Sequence, residues 1–464
     1  MQNINGAKKL AWGLKAAAMA ALIATGASAA VPAGLLPSKA AAAEAAKQVD
    51  IAYPAASVQT PLNARVPVGD KIKLSEAVNV YYETGNPAIA RVNSRGVLIP
   101  ASSGNTKLVI KVSTPGYKGS LTLPVRVTAP ASSAVITKAA KKVTVNGKTF
   151  NVQTVSVPKG TPVTAALPQR KVGLVQGLKD IAVSYNADAA INGTYFEAYG
   201  GIPEPYGMIM SDGIMEHVGN TGTTIGFQWD GKAVMDTLRV SIKGGTNGSF
   251  GYPNGWYAYF INRTPEKGKA SAILFTPRRG THIGFAYGKM ITVSKGVVTK
   301  IETNVNAAIP KDGYVIVFNG SDASLADRFK PGMTVDYQIE TTNADGKTVD
   351  WSQVHTAIGA GPTLVKDGKV QVDPVKEGFT SDKILTGGGA RSGIAVMNDG
   401  SIMLATVPGA TIKQWAEIMA KLGAKQAMNL DGGASSGLYA KGQTITPPGR
   451  QIGNALVFGG KLKW

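Results

Sequence analysis

The sequence predicts an α+β protein, with a small all-β domain ahead of a larger, mixed, β-rich domain that has few helices. Three observations carry this. Short runs rich in Val, Ile, Thr and Tyr alternate with polar residues and are bounded by turn formers, in a 464-residue chain with 56 Gly and 25 Pro. Asn146-Gly147 stands between two such runs, "KKVTV" and "KTFNVQTVSV", which is a strong hairpin signal. Clear helical spacing appears at Thr411 to Leu422, where Trp415, Ile418, Met419 and Leu422 share one face.

The elements follow in order. Lys8, Lys9 and Lys15 lead into an alanine-rich apolar stretch and then the small residues Ala40 to Ala43, the order of a secretory signal spanning residues 1–43. Cleavage near Ala43 would leave an exported chain with no membrane segment. From 49 to 129 the chain reads as short strands, among them Ile72 to Leu74, Val78 to Tyr82, Leu108 to Val112 and Leu121 to Val127. "TAPASSA" (Thr128 to Ala134) reads as a linker. The larger domain then runs from 131 to 464. After the first hairpin, a second is expected from Gly393 to Val407 around "NDGS". Thr411 and Gln414 have capping-box spacing, and Gly423 is placed to stop the helix. "QAMNL" then reads as a buried strand that delivers Asp431 to a loop.

Charge and cysteine content narrow the function. The net charge is +20, of which about +16 remains after the signal. The excess is spread along the chain without a dense Lys/Arg block, which argues against nucleic acid and for an anionic cell wall or polysaccharide as partner. The chain has no cysteine, so thiol catalysis and thiolate metal sites are excluded. The three histidines, His217, His282 and His355, have no helical pairing for zinc. No cofactor is required; a divalent cation held by oxygen ligands stays open.

The stretch "MNLDGGASSGLY" (Met428 to Tyr439) sets a carboxylate beside bare backbone. Its G-x-S-x-G pattern is not a nucleophile elbow. The segment that follows, "LYAKGQTITPPGRQ", is too rich in Gly and Pro for a helix, and no histidine comes after it. Adjacent glycines allow positive φ and close approach to a ligand, and their N–H groups can form an anion-binding concavity. The bland reading is an Asp-Gly turn. Other segments share the composition: "AAINGTYFEAYGGIPEPYG", "AIGAGPTLVKDGK", "GGGARSGIAVMNDGS" and "PPGRQIGNALVFGG".

In this order these segments resemble the phosphodiester glycosidase family, over about Val143 to Gly460. The family pattern is Asn-Gly-Gly-Tyr/Phe-Phe, then Gly-Ala-Gly-Pro, then Arg-Thr/Ser-Ala, then Asn-Leu-Asp-Gly-Gly-Gly-Ser-Ser, then a strand with Asn-Ala. The chain departs from it at Thr194, Gly393 and Ala434, and in "GRQIGNAL". Ahead of this, "NPAIARVNSRGVLIP" (Asn86 to Pro100) resembles the bacterial Ig-like group 2 domain, which implies an all-β sandwich acting as spacer or adhesive module.

The resemblance implies hydrolysis of a sugar-1-phosphodiester at the glycosidic bond. On that reading Asp431 activates water or contacts the sugar, Arg391 and loop N–H groups hold the phosphate, and Asn192 completes the catalytic set. Glu197 is a possible second carboxylate. Tyr195, Gly361, Asn429, Gly432, Gly433, Ser435, Ser436 and Asn454 would contact substrate. The expected substrate is a GlcNAc-1-phosphodiester type in cell-envelope or exopolysaccharide material, met by a secreted or wall-associated enzyme. The other reading is a non-catalytic wall or polysaccharide binding protein with a degenerate pocket.

Overall fold

A computed structural model describes the chain from Val49 onward, apart from residues 53–57, 60–78, 94–95, 101–103, 115–116, 129–134, 212, 229–230, 352–353 and 464. The expected signal, the expected strand at Ile72 to Leu74 and nearly all of the expected linker lie outside the described residues. Among the described residues no helix is long and apolar enough to cross a membrane. The chain divides into two compact units, with the second beginning at Ala134.

In the first unit Gly104–Thr114 and Tyr117–Thr128 form a long antiparallel hairpin. Asn79–Thr84 pairs with its first strand, and Val49–Ala52 runs parallel to its second. Val97–Pro100 lies between Val58–Gln59 and Ala90–Val92 in a further sheet. Leu98, Leu108, Ile110, Leu123 and Val125 are buried together. Their alternation along the long strands is what half-buried strands require.

The second unit is strand-rich, in keeping with the expected α+β class. Thr137–Val145 and Lys148–Val157 form the hairpin, with φ of 47° at Asn146 and 77° at Gly147. Both central residues thus take the positive φ that favours Asn-Gly in such turns. Gly389–Met397 and Ile402–Ala410 form the second hairpin, turning at Gly400 with φ 81°. Ile412–Lys421 is the predicted helix. Thr411 accepts from the Gln414 N–H while the Gln414 side chain accepts from the Thr411 N–H, and Gly423 ends the segment at φ 88°. Trp415, Ile418 and Met419 on its inner face are fully buried.

Three sheets share one core. Ala165, Ile191, Leu438 and Leu456 come from a five-stranded sheet in the order Val163–Ala166, Ala455–Phe458, Ala189–Asn192, Leu438–Ala440, Gln443–Thr446. Ile225, Phe227 and Ile358 come from a second sheet, and Ile394, Leu404 and Met428 from a seven-stranded third. A further lobe holds Leu238–Thr246, Val335–Asn343, Ser271–Phe275 and Gly313–Asn319, packed around Trp256, Leu274 and Phe318. The strand Ala424–Asn429 pairs with Gly389–Met397, placing Asn429 opposite Gly393. The core therefore brings Asn192, Arg391 and Asp431, far apart in sequence, to adjoining strand ends.

Candidate active site

The junction of these strand ends is built by one asparagine. The Asn192 Nδ2 donates to the Asp431 carbonyl at 2.7 Å. Its Oδ1 accepts from Ser392 Oγ at 2.7 Å and from the Gly437 N–H at 3.0 Å. The Asp431 N–H donates to the Gly193 carbonyl at 2.9 Å, and the Leu430 N–H to Ser392 at 2.9 Å. Asn192 is buried, and its amide ties three loops to one another. It acts by positioning Asp431. Replacing it with Ala orphans three buried partners, and we expect a loss of about 2–4 kcal/mol of stability, read by urea unfolding.

Asn454 does the same for the neighbouring loop. Its Oδ1 accepts from the Thr194 N–H at 2.7 Å and its Nδ2 donates to the Thr194 carbonyl at 3.2 Å. A side chain at Gly193 would lie 2.2 Å from Asn454 Oδ1, so the bare backbone is required there. Asn429 Nδ2 donates to Tyr195 Oη at 2.8 Å and to the Gly361 carbonyl at 3.2 Å. Tyr195 itself donates to Gly361 at 2.8 Å. Burial, then the Asp431 charge, push the Tyr195 phenol well above its ordinary pKa, so it stays neutral.

Above this framework opens a pocket of about 780 Å³, large enough for a sugar with a phosphodiester. Asp431, Arg391, Tyr195, Gly432, Gly433 and Ser435 line it. Asn192, Asn429, Asn454, Gly361 and Ser436 lie outside its lining and shape it from behind. Glu197 is also outside the lining. It accepts from Tyr206 Oη at 2.7 Å and from the Tyr199 N–H at 3.0 Å, which hold its pKa low. Asp431 is therefore the sole carboxylate among the described lining residues.

The Asp431 carboxyl is half-buried, accepts from Ser435 and the Gly432 N–H, and faces Arg450. Burial outweighs these contacts and pushes its pKa from 3.8 to about 7. Ser435 thus donates to the aspartate. Arg391 is 4% exposed. Its Nε donates to the Ala410 carbonyl at 3.0 Å, and its Nη2 to the Lys383 and Gly387 carbonyls. These bonds lock the guanidinium at the pocket wall. Burial pulls its pKa down, with Tyr195 opposing.

Among the lining residues that escaped the sequence reading are Tyr199, Arg263, Lys383 and Arg450. Tyr199 is 78% exposed, with Lys383 Nζ 5.3 Å and the Arg450 guanidinium 5.0 Å from its ring centre. Among the described residues no three His, Asp or Glu side chains gather to hold a metal ion.

A carboxylate beside a glycine loop and a locked arginine now stand in one pocket, with a strand-end asparagine behind it. Residues 287–459 match the phosphodiester glycosidase family model. That stretch carries Gly361, Arg391, Asn429, Asp431, Ser435, Arg450 and Asn454. A hypothetical protein from Synechocystis has the same fold, with a TM-score of 0.60 at 20% identity, over 82% of this chain and 80% of that one. A Burkholderia pseudomallei protein described as exported matches at 0.56 and 16% identity, over 83% and 97%. The zebrafish N-acetylglucosamine-1-phosphodiester alpha-N-acetylglucosaminidase catalytic domain aligns at 0.39 and 14% identity, over 71% and 85%, too loosely to place residues. No curated protein matches the chain by sequence.

One departure from the phosphodiester glycosidase pattern, Gly393, has a local cause. A side chain at Gly393 would lie 3.0 Å from Trp415 Nε1 and 3.1 Å from the Met428 carbonyl. To admit an alanine, the fully buried Trp415 and the Met428 carbonyl would have to give by a few tenths of an ångström. Gly393→Ala should cost about 1–3 kcal/mol by overpacking, seen as a lower thermal midpoint. Ala434 is exposed on the pocket wall, and Thr194 is buried against Asn454.

Proposed function

We propose that the second unit hydrolyses the glycosidic bond of sugar-1-phosphodiesters of the GlcNAc-1-phosphodiester type, releasing free sugar and a phosphomonoester. The observation that carries this is one carboxylate in a pocket lined by Arg263, Lys383, Arg391 and Arg450. Glycosidases with sugar leaving groups use two carboxylates, because an alkoxide must be protonated as it departs. A phosphate monoester is already a weak base and leaves without an acid, provided cations meet its charge. A pocket with one carboxylate and several cations suits that leaving group.

In this mechanism Asp431 takes a proton from water as the water oxygen attacks C1. The C1–O bond breaks, and its electron pair stays on the phosphate oxygen. Arg391 and Arg450 receive the growing charge. A pKa near 7 suits a general base at neutral pH. Attack by water in one displacement inverts the anomeric centre.

The family match supports a hydrolase of this kind; the substrate rests on the pocket. We propose further that the chain is exported, on the signal-like first 43 residues, and acts on cell-envelope or exopolysaccharide material. Its charge of +20 favours such anionic surroundings. The Ig-like resemblance of Asn86 to Pro100 makes the first unit a spacer or adhesive module.

The test is incubation of the full mature chain with a GlcNAc-1-phosphate alkyl diester in ¹⁸O-water. Label in the free sugar, with β-GlcNAc formed first from the α-diester, is expected. Label in the phosphate would make the protein a phosphodiesterase instead. No release across a panel of sugar-1-phosphodiesters, with tight binding kept, would leave a polysaccharide-binding protein.

A further inference from the structure

The pocket's charge is out of balance with a single phosphodiester. Arg263, Lys383, Arg391 and Arg450 face one carboxylate. None of the four forms a salt bridge with a described residue, whereas two arginines close by in the chain are neutralised. Arg278 Nε lies 2.9 Å from Glu216, and Arg279 is bonded to Glu204. A phosphodiester brings one negative charge, which Arg391 and Arg450 beside Asp431 suffice to meet.

Arg263 stands apart from that group. It lies ahead of the family-matched stretch in the chain, and its guanidinium lies 4.4 Å from the Phe260 ring centre. The chain on either side is fixed by buried polar contacts. Asn262 is fully buried, and its Nδ2 donates to the Glu216 carbonyl at 2.9 Å and to Thr276 Oγ1 at 2.8 Å. The Thr264 N–H donates to both Glu204 oxygens at 3.1 and 3.0 Å, and Arg279 Nη2 donates to Thr264 Oγ1 at 2.7 Å. An exposed arginine at a loop tip would need no such support. This one is held on the pocket wall near Tyr206 and Gly207, which line the pocket with it. Preorganised cations of this kind favour a fixed anion over bulk counter-ions.

We propose that the substrate carries a second anionic group beyond the scissile phosphate, and that Arg263 is the residue that reads it. The substrate class is then an oligomer of phosphodiester-linked sugars, in which a second phosphate follows the first. This rests on the proposed glycosidase reading.

The test uses three probes on the full mature chain: a GlcNAc-1-phosphate methyl diester, the same diester with a second phosphodiester in its aglycone, and one with a carboxylate there. Binding is measured by calorimetry alongside kcat/KM. The second probe should bind and react about tenfold better than the first, and that ratio should fall toward one in Arg263→Gln and recover in part in Arg263→Lys. A carboxylate probe equal to the probe with two phosphodiesters would show that Arg263 reads charge alone, and would overturn the sugar-phosphate oligomer. Equal binding of the first two probes, or a ratio unmoved by Arg263→Gln, would overturn the subsite. Binding with the expected ratio but no turnover would defeat the glycosidase reading and leave this subsite standing.

Discussion

Asp431→Asn is expected to lower kcat by about 10²- to 10⁴-fold with substrate binding retained, as removal of a general base does. The amide keeps the shape of the side chain and its contact with Ser435, so the loss isolates proton transfer. In the wild type, kcat/KM should rise with pH through about 7, the value to which burial pushes the carboxyl. Activity that instead falls through that pH would make Asp431 an acid. The same shift acts on stability. Below about pH 4 the carboxyl is protonated in both states. Between there and about 7 the unfolded chain ionises while the folded one holds its proton, so stability falls as pH rises. Asp431→Asn should therefore be more stable than wild type at pH 8, by about 1–3 kcal/mol, and lose that advantage by pH 4. A gap independent of pH would contradict the burial that defines the site.

Arg391→Ala is expected to lose about 10²- to 10³-fold in kcat/KM, the scale of one preorganised donor at a developing charge. The loss should fall mainly on kcat, because the leaving phosphate gains charge only as the C1–O bond breaks. It should shrink for diesters with a more acidic phosphate, which need less help. An equal loss for good and poor leaving groups would reduce Arg391 to a ground-state anchor. The substitution also frees the Ala410, Lys383 and Gly387 carbonyls, so unfolding in urea should be measured in parallel. Arg391→Lys separates the effects: it keeps the charge but cannot bond all three carbonyls.

Much of the fold is legible because its signals are local. Asn146-Gly147 turns a hairpin through its own backbone preference. Thr411 and Gln414, three residues apart, cap a helix by bonding each other. The glycine-rich loop after Leu430 marks itself by what it lacks, and Arg391 and Asp431 do line the pocket.

What the sequence alone determined is the element types, their order, and two charged residues, Arg391 and Asp431, that line the pocket. The tertiary structure decided which polar residues are free to act. Asn192, Asn429 and Asn454 look like ligands in sequence, yet all three are buried outside the lining, where neighbouring groups take up both amide atoms of Asn192 and Asn454 and the Nδ2 of Asn429. Glu197 is a carboxylate near the loop, yet Tyr206 draws it out of the lining. Arg263, Lys383 and Arg450 look like ordinary surface charges until three separate loops bring them to one pocket. The reason is physical. Turns and caps are settled by a few adjacent residues, whereas hydrogen-bond partners and net charge in a cavity depend on groups hundreds of residues apart. Only the packed core fixes those.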